Sequence, residues 1–349
     1  MVRRRRRDLT CSRTCPDQHG PGGARPAPCA TVGFVPTSPT PDQHARLAWV
    51  PFDLAELEAV GPLPANLRIE SVDLGRGLPD DAAEVTFLVA PYTFEFSLYE
   101  ALAQMPRLEA VQVQFAGVDQ IVGHVPPGVT LCSGRGIHNT STAELALTLT
   151  LASLRDVPGW VRLQDRRVWD RQWVSALADR RVLIVGAGAI GTAIRSRVEA
   201  FEAEPVMVGR TARDGVHGRV HGIDELSTLL PDADVVILIL PLTDESTGLF
   251  DADTIALMKP GALLVNVARG AIVDTDALTA ACAEGRITAA IDVVDPEPLP
   301  ADHPLWTTPG VLITPHIGGT SSAMRPRALR LVHEQLWRYA RGEELLNIT

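Results

Sequence analysis

Three side chains in this sequence have types and spacing suited to chemistry. Arg269 follows the apolar run Ala262-Leu263-Leu264-Val265-Asn266-Val267-Ala268, Glu297 stands between Pro296 and Pro298, and His316 follows Thr314-Pro315. A guanidinium is a permanent cation with a planar fork of donors, and an imidazole exchanges a proton near neutrality. Each residue alone has an ordinary reading: a surface ion pair, a solvated loop carboxylate, a core histidine. Together they fall on successive strand-and-loop units of one sheet, beyond the carboxyl ends of the strands, where open α/β sheets bind ligands. One site explains them better than three accidents.

The stretch that must position them begins at Arg181. Val182-Leu183-Ile184-Val185 is too short for a membrane span and carries no charge, as a strand buried on both faces of a parallel sheet should. Gly186, Gly188 and Gly191 then complete G-x-G-x-x-G. Gly186 would permit the tight turn, Gly188 the approach of a pyrophosphate, and Gly191 close packing of helix on strand. The phosphates would sit at the helix N-terminus, against the free N–H groups of Ala189 and Ile190, where the dipole favours negative charge.

Around this stretch, short apolar runs alternate with helical ones. Before it, residues 47–50, 67–72, 85–89, 108–113 and 129–132 read as strands, with helices over 52–60 and 96–105. A longer helix starts near Thr140, capped by Ser141 or Thr142, and residues 160–173 read as an Arg- and Trp-rich arm at a subunit contact. After it, residues 206–208, 235–240, 262–266, 289–293 and 311–314 are strands, with helices over 251–257 and 274–284. The final amphipathic stretch, 325–342, has no place in the completed second sheet and returns to the first domain. The expected fold is therefore α/β, with two doubly wound parallel-sheet domains.

Composition limits the function classes. The chain of 349 residues is 46% hydrophobic and has a net charge of −10, enough to bury a large core across two domains and unlike a nucleic-acid-binding body. Residues 1–30 hold seven arginines and two aspartates, so charge is polarised between a basic tail and an acidic remainder. Polar sequence follows Arg3 to Arg7 where a signal peptide would have an apolar run, so the tail reads as a disordered extension. Cys11, Cys15 and Cys29 lack C-x-x-C pairing, and no metal site is expected. A cytoplasmic protein with neither membrane nor nucleic-acid partners is the expectation.

The strand after the glycine loop ends in Gly209-Arg210-Thr211-Ala212-Arg213, without the acid that accepts the ribose 2′-OH in NAD-binding sheets. Arg210 and Arg213 are suited to pairing with a 2′-phosphate. NADP(H) is therefore favoured over NAD(H); in the alternative, both arginines merely solvate a turn.

At this point the sequence closely resembles the D-isomer-specific 2-hydroxyacid dehydrogenase family. The resemblance rests on Gly186 to Gly191, Pro241-Leu242-Thr243 with Thr247-Gly248-Leu249, Met258 to Gly261, Asn266 to Gly270, Asp292 with Glu297-Pro298, and Pro315-His316. It implies a Rossmann cofactor domain, residues 136–315, inserted in a flavodoxin-like substrate domain, residues 31–135 plus 316–349. It also implies an oxidoreductase acting on a CH–OH group with NAD(P)+, and a homodimer.

By the same resemblance, Arg269 clamps the carboxylate and keto oxygen of a 2-oxo acid, and His316 is the general acid and base. Glu297 stabilises the imidazolium and holds its orientation. Asp292 lies near the nicotinamide carboxamide, with Pro241, Thr247 and Ala268 also on the cofactor side. The backbone of Ala116, Gly117 and Val118, beside Asp119, receives the substrate carboxylate. The absent acid at Gly209-Arg210 resembles the NADP-using glyoxylate and hydroxypyruvate reductase branch, whereas Glu297 disfavours the formate dehydrogenase branch, which carries Gln there. Three departures stand out: Glu202 in place of a helix-ending Gly, Ser133-Gly134 in a region that often carries Asn, and the aromatic loop 91–96. A non-catalytic dinucleotide-sensing protein of the same fold is the alternative.

Overall fold

Buried parallel strands need apolar side chains on both faces, and the runs along this chain supply them. The computed structural model describes residues 46–93 and 97–349; the basic tail, residues 1–30, and the start of the expected substrate domain lie outside these. Five parallel strands form the first sheet: β1 (Leu47–Val50), β2 (Arg68–Ser71), β3 (Val85–Val89), β4 (Ala110–Gln112) and β5 (Thr130–Cys132), in the order β2-β1-β3-β4-β5. That is the flavodoxin-like order, with its crevice between β1 and β3. Every residue of β1 and β3 is buried.

The second sheet holds β6 (Arg181–Val185), β7 (Glu204–Gly209), β8 (Arg213–Gly215), β9 (Gly218–Gly222), β10 (Val235–Leu238), β11 (Leu263–Asn266), β12 (Thr288–Ile291) and β13 (Val311–Ile313). Their order is β13-β12-β11-β10-β6-β7-β9-β8, parallel except for the β8–β9 hairpin. Along β6, Val182 and Ile184 enter one core while Leu183 and Val185 enter the other, which is why this strand has no polar alternation. The chain is thus an α/β protein of two doubly wound sheets, the second of Rossmann type.

Three local readings change. The long helix runs Asn139–Leu154 and His138, not Ser141 or Thr142, is its N-cap. The Ser141 hydroxyl donates to the His138 carbonyl at 3.2 Å, and the Thr142 hydroxyl to the Gly318 carbonyl at 3.2 Å. The presumed arm begins as a helix, Val157–Asp165, whose N-cap Asp156 accepts from the Gly159 N–H at 3.2 Å. Beyond it Trp169 and Trp173 are fully exposed. The β8–β9 hairpin was not legible, because Arg213-Asp214-Gly215 and Gly218-Arg219-Val220 have no apolar alternation; its turn depends on Gly218 at φ +104°.

The last helix, Met324–Arg341, does return to the first sheet. Ala328, Val332, Leu336 and Tyr339 pack with Ala48, Val50, Phe87 and Val89. Inside this interface the buried Gln335 amide donates to Gln112 Oε1 at 2.7 Å. Glu202, flagged above, adopts φ +60°, the left-handed conformation that a glycine takes without cost.

Candidate active site

The glycine loop is built as its residues require. Gly186 sits at φ +128°, and a Cβ there would run into the Ile239 carbonyl of the neighbouring strand end; a Cβ on Gly191 would meet the Gly186 carbonyl. Gly188 differs, since a Cβ would meet nothing within 4 Å. That open space lies at the start of the helix Ala189–Ala200, whose N-cap Gly188 makes no side-chain cap. The first-turn N–H groups of Ala189, Ile190 and Gly191 can therefore receive an anion, and the loop fits the pyrophosphate of a dinucleotide.

Arg213 bends back over this loop: Nη2 donates to the Ala187 carbonyl at 3.4 Å and Nη1 to the Thr211 carbonyl at 3.3 Å. Arg210 is exposed and lies near Glu245, whose carboxyl is held below its usual range first by the Thr243 hydroxyl, with Arg210 adding to the effect. On the β10 side, Pro241 lines the central cavity. Thr247 does not; its hydroxyl is exposed and donates to the Thr243 carbonyl at 2.8 Å. The turn between them is tied by the buried Ser246, whose hydroxyl donates to the Pro241 carbonyl and accepts from the Thr243 N–H, both at 2.8 Å.

Arg269, Asp292 and His316 follow β11, β12 and β13 in turn. The buried Asn266 shapes the first turn: Oδ1 accepts from the Ala268 N–H at 3.1 Å and Nδ2 donates to the Arg269 carbonyl at 2.9 Å. Asp292, 3% exposed, accepts from the Thr314 hydroxyl at 2.6 Å and from the N–H groups of Ile317 and Gly318 at 2.9 and 2.8 Å. Its own carbonyl accepts the His316 N–H at 2.8 Å. This buried carboxylate fastens the loop in which His316 sits at φ +51°. His316 Nδ1 meets Glu297 Oε1 at 2.6 Å. With Nδ1 donating to an ionised carboxylate at that distance, Nε2 is the other ring nitrogen of the neutral imidazole and carries no proton.

A cavity of about 560 Å³ brings these groups together, lined by Arg269, Glu297, His316, Asp292, Ala268, Ile190 and Pro241 from the second sheet and by Ala116 and Gly117 from the first. The Val118 side chain packs instead into the first sheet's core. Five further wall residues, Asp119, Tyr92, Phe115, His138 and Thr142, escaped the sequence reading as site residues. Asp119 forms an ion pair with Arg269 at 3.1 Å. Tyr92 stacks on Phe115 with ring centroids 4.7 Å apart and lies 5.4 Å from the His138 ring. Thr142 completes the wall beside Gly318. The aromatic loop 91–96 signalled Tyr92, although residues 94–96 lie outside the described residues. Among the described residues no group of three His, Cys, Asp or Glu side chains is arranged to hold a metal.

Residues 147–318 match the model of the D-isomer specific 2-hydroxyacid dehydrogenase, NAD binding domain. A glyoxylate reductase of Pyrococcus horikoshii is 32% identical over 263 residues, 70% of this chain and 77% of that protein. The chain belongs to the D-isomer specific 2-hydroxyacid dehydrogenase family. As a member it is an oxidoreductase acting on a CH–OH donor with a nicotinamide dinucleotide, which the glycine loop fits. This 2-hydroxyacid dehydrogenase is also 32% identical to formate dehydrogenase 2, mitochondrial, of Oryza sativa subsp. japonica over 272 residues, 74% of this chain and 71% of that one. Among solved structures, a D-isomer specific 2-hydroxyacid dehydrogenase from Xanthobacter autotrophicus Py2 in complex with NADPH and MES superposes with a TM-score of 0.73 at 29% identity, covering 87% of this chain and 98% of that one.

Proposed function

We propose that this dehydrogenase reduces a small 2-oxo acid of the glyoxylate or hydroxypyruvate type, with NADPH preferred and NADH the alternative donor. The observation that carries the reading is the His316–Glu297 contact at 2.6 Å, lining the same cavity as the Arg269 guanidinium. Arg269 and the backbone of Ala116, Gly117 and Val118 hold the substrate carboxylate and orient the keto oxygen. His316 Nε2 donates a proton to that oxygen in reduction and removes it in oxidation, while Glu297 stabilises the imidazolium. The bound nicotinamide supplies or accepts the hydride. Gly186, Gly188, Ala189, Ile190 and Gly191 take the pyrophosphate. Arg210, Thr211 and Arg213 take the adenosine 2′-phosphate, and Pro241, Thr247, Ala268 and Asp292 frame the nicotinamide end.

The preference for NADPH draws support from the strand end Gly209-Arg210, which lacks an acid, and from the NADPH bound in the Xanthobacter structure. The cofactor domain spans residues 136–315 and the substrate domain 31–135 plus 316–349. A cytoplasmic homodimer completes the reading: Trp169 and Trp173 are fully exposed, and apolar area of that kind is buried in stable interfaces.

Initial rates of NADPH oxidation, and separately of NADH oxidation, with glyoxylate, hydroxypyruvate, pyruvate and a bulky aromatic 2-oxo acid test this function. Faster oxidation of NADPH than of NADH, with glyoxylate or hydroxypyruvate as the acceptor, is expected. Better use of NADH would overturn the cofactor preference alone. Dinucleotide binding with no oxidation of any member of the panel would move the reading to a sensing protein.

A further inference from the structure

The reading of Arg269 as a carboxylate clamp leaves open what aims it, and the cavity wall contains an answer. A guanidinium has five N–H donors in a rigid plane. In this chain Nε donates to Asp119 Oδ2 at 3.3 Å and Nη2 donates to Asp119 Oδ1 at 3.1 Å, a side-on fork that fills one edge of the plane. Nη1 donates to the Ala268 carbonyl at 2.8 Å, which fastens a second edge. Three donors are thus committed within the protein. One donor remains on Nη1 and one on Nη2, and the end edge of a guanidinium, which offers one N–H from each, has the spacing that matches the two oxygens of a carboxylate.

We propose that Asp119 is a positioning residue that holds the side edge of the Arg269 guanidinium and so presents its end edge to the substrate carboxylate. The proposal rests on the clamp role given to Arg269 above. The two partners come from different sheets, Asp119 from the loop after β4 and Arg269 from the loop after β11. The first sheet therefore directs a side chain anchored in the second. Gly117 belongs to the same device, because a Cβ there would collide with the guanidinium, and would come within 3.0 Å of Asp119 Oδ1.

The pairing makes an unusual statement about charge. An arginine already matched with a carboxylate offers an incoming anion little net charge, so what it contributes is direction. A clamp working by net charge would bind an anionic substrate more tightly once Asp119 were neutralised. A clamp working by direction would bind it less tightly.

Asp119→Asn distinguishes the two by sign. The expected result is a rise in KM for the 2-oxo acid of about tenfold, about 1.4 kcal/mol, with KM for NADPH unchanged. An unchanged or lowered KM for the 2-oxo acid overturns the proposal. A second arm guards against a merely structural effect: in Arg269→Ala, millimolar guanidinium chloride should partly restore turnover of the 2-oxo acid, since Asp119 can still seat a free guanidinium. In Arg269→Ala combined with Asp119→Asn the same salt should restore none, and equal rescue in both overturns the proposal. If Arg269→Ala alone leaves KM and kcat for the 2-oxo acid unchanged, the clamp reading itself falls; if it damages them while Asp119→Asn does not raise KM, only the positioning proposal falls.

Discussion

The two walls of the cavity are made in different ways. The wall from the second sheet is set by groups close together in sequence: glycines that must be glycine, Asn266 tying its own turn, Asp292 gathering the backbone of the next loop. The wall from the first sheet is made of side chains far apart in sequence, Tyr92 on Phe115 and His138 beside Tyr92, and one of them reaches across to the second sheet, Asp119 on Arg269. Under the proposed function the first wall carries the reacting groups and the second faces the rest of the substrate.

The largest expected effect is on the first wall. His316→Ala should lower kcat by about a thousandfold with dinucleotide affinity unchanged, because it removes the acid and base but no part of the glycine loop. Turnover within a factor of two of the parent would remove His316 from the mechanism.

Asp292→Ala should cost about 3 kcal/mol of stability, since three donors, the Gly318 N–H buried and the Thr314 hydroxyl and Ile317 N–H part-buried, lose a buried acceptor at once. Denaturant unfolding measures it, and kcat should fall in parallel because the His316 loop is released. A stable but inactive variant would instead assign Asp292 to the reaction alone.

On the dinucleotide arm, Arg213→Ala should weaken NADPH about tenfold while leaving NADH nearly unchanged, by loss of one charge-assisted pair to the 2′-phosphate. Equal weakening of both cofactors would show that Arg213 only supports the Ala187 carbonyl, to which it already donates.

The smallest effect belongs to the second wall. Burial, outweighing the backbone carbonyls of Gln114 and Gly319, holds the His138 imidazole below its ordinary value of 6.5. The unfolded chain therefore takes up the proton first as acidity increases. Stability is full above pH 6.5 and is lost as pH falls toward the folded value, by at most about 1.4 kcal/mol per pH unit for one proton. The melting temperature of the parent should drop faster than that of His138→Phe between pH 7 and about pH 5. Parallel curves would mean that His138 does not titrate there.

The same contrast explains what the sequence made legible. Apolar strands, glycine loop, final helix and the three chemical side chains were readable because each depends on local pattern or on order along one sheet. The hairpin 213–222 was hidden by its polarity, and the start of the long helix by Asn139, an inconspicuous residue one position before the expected threonine. Asp119 stood two residues from Gly117 in plain view. Its partner is 150 positions away, and no local spacing reveals a fork closed across two sheets.

The path of the chain between the sheets has a consequence for exchange and engineering. It leaves the first sheet just before His138 and comes back beside it, where Thr142 holds the Gly318 carbonyl. Entry and exit of the dinucleotide-binding half are neighbours, so that half is a cassette with adjacent ends. Recombination between two such chains at residues near 139 and 318 would swap cofactor choice while both covalent paths stay short. The loops of the first sheet would keep their own scaffold.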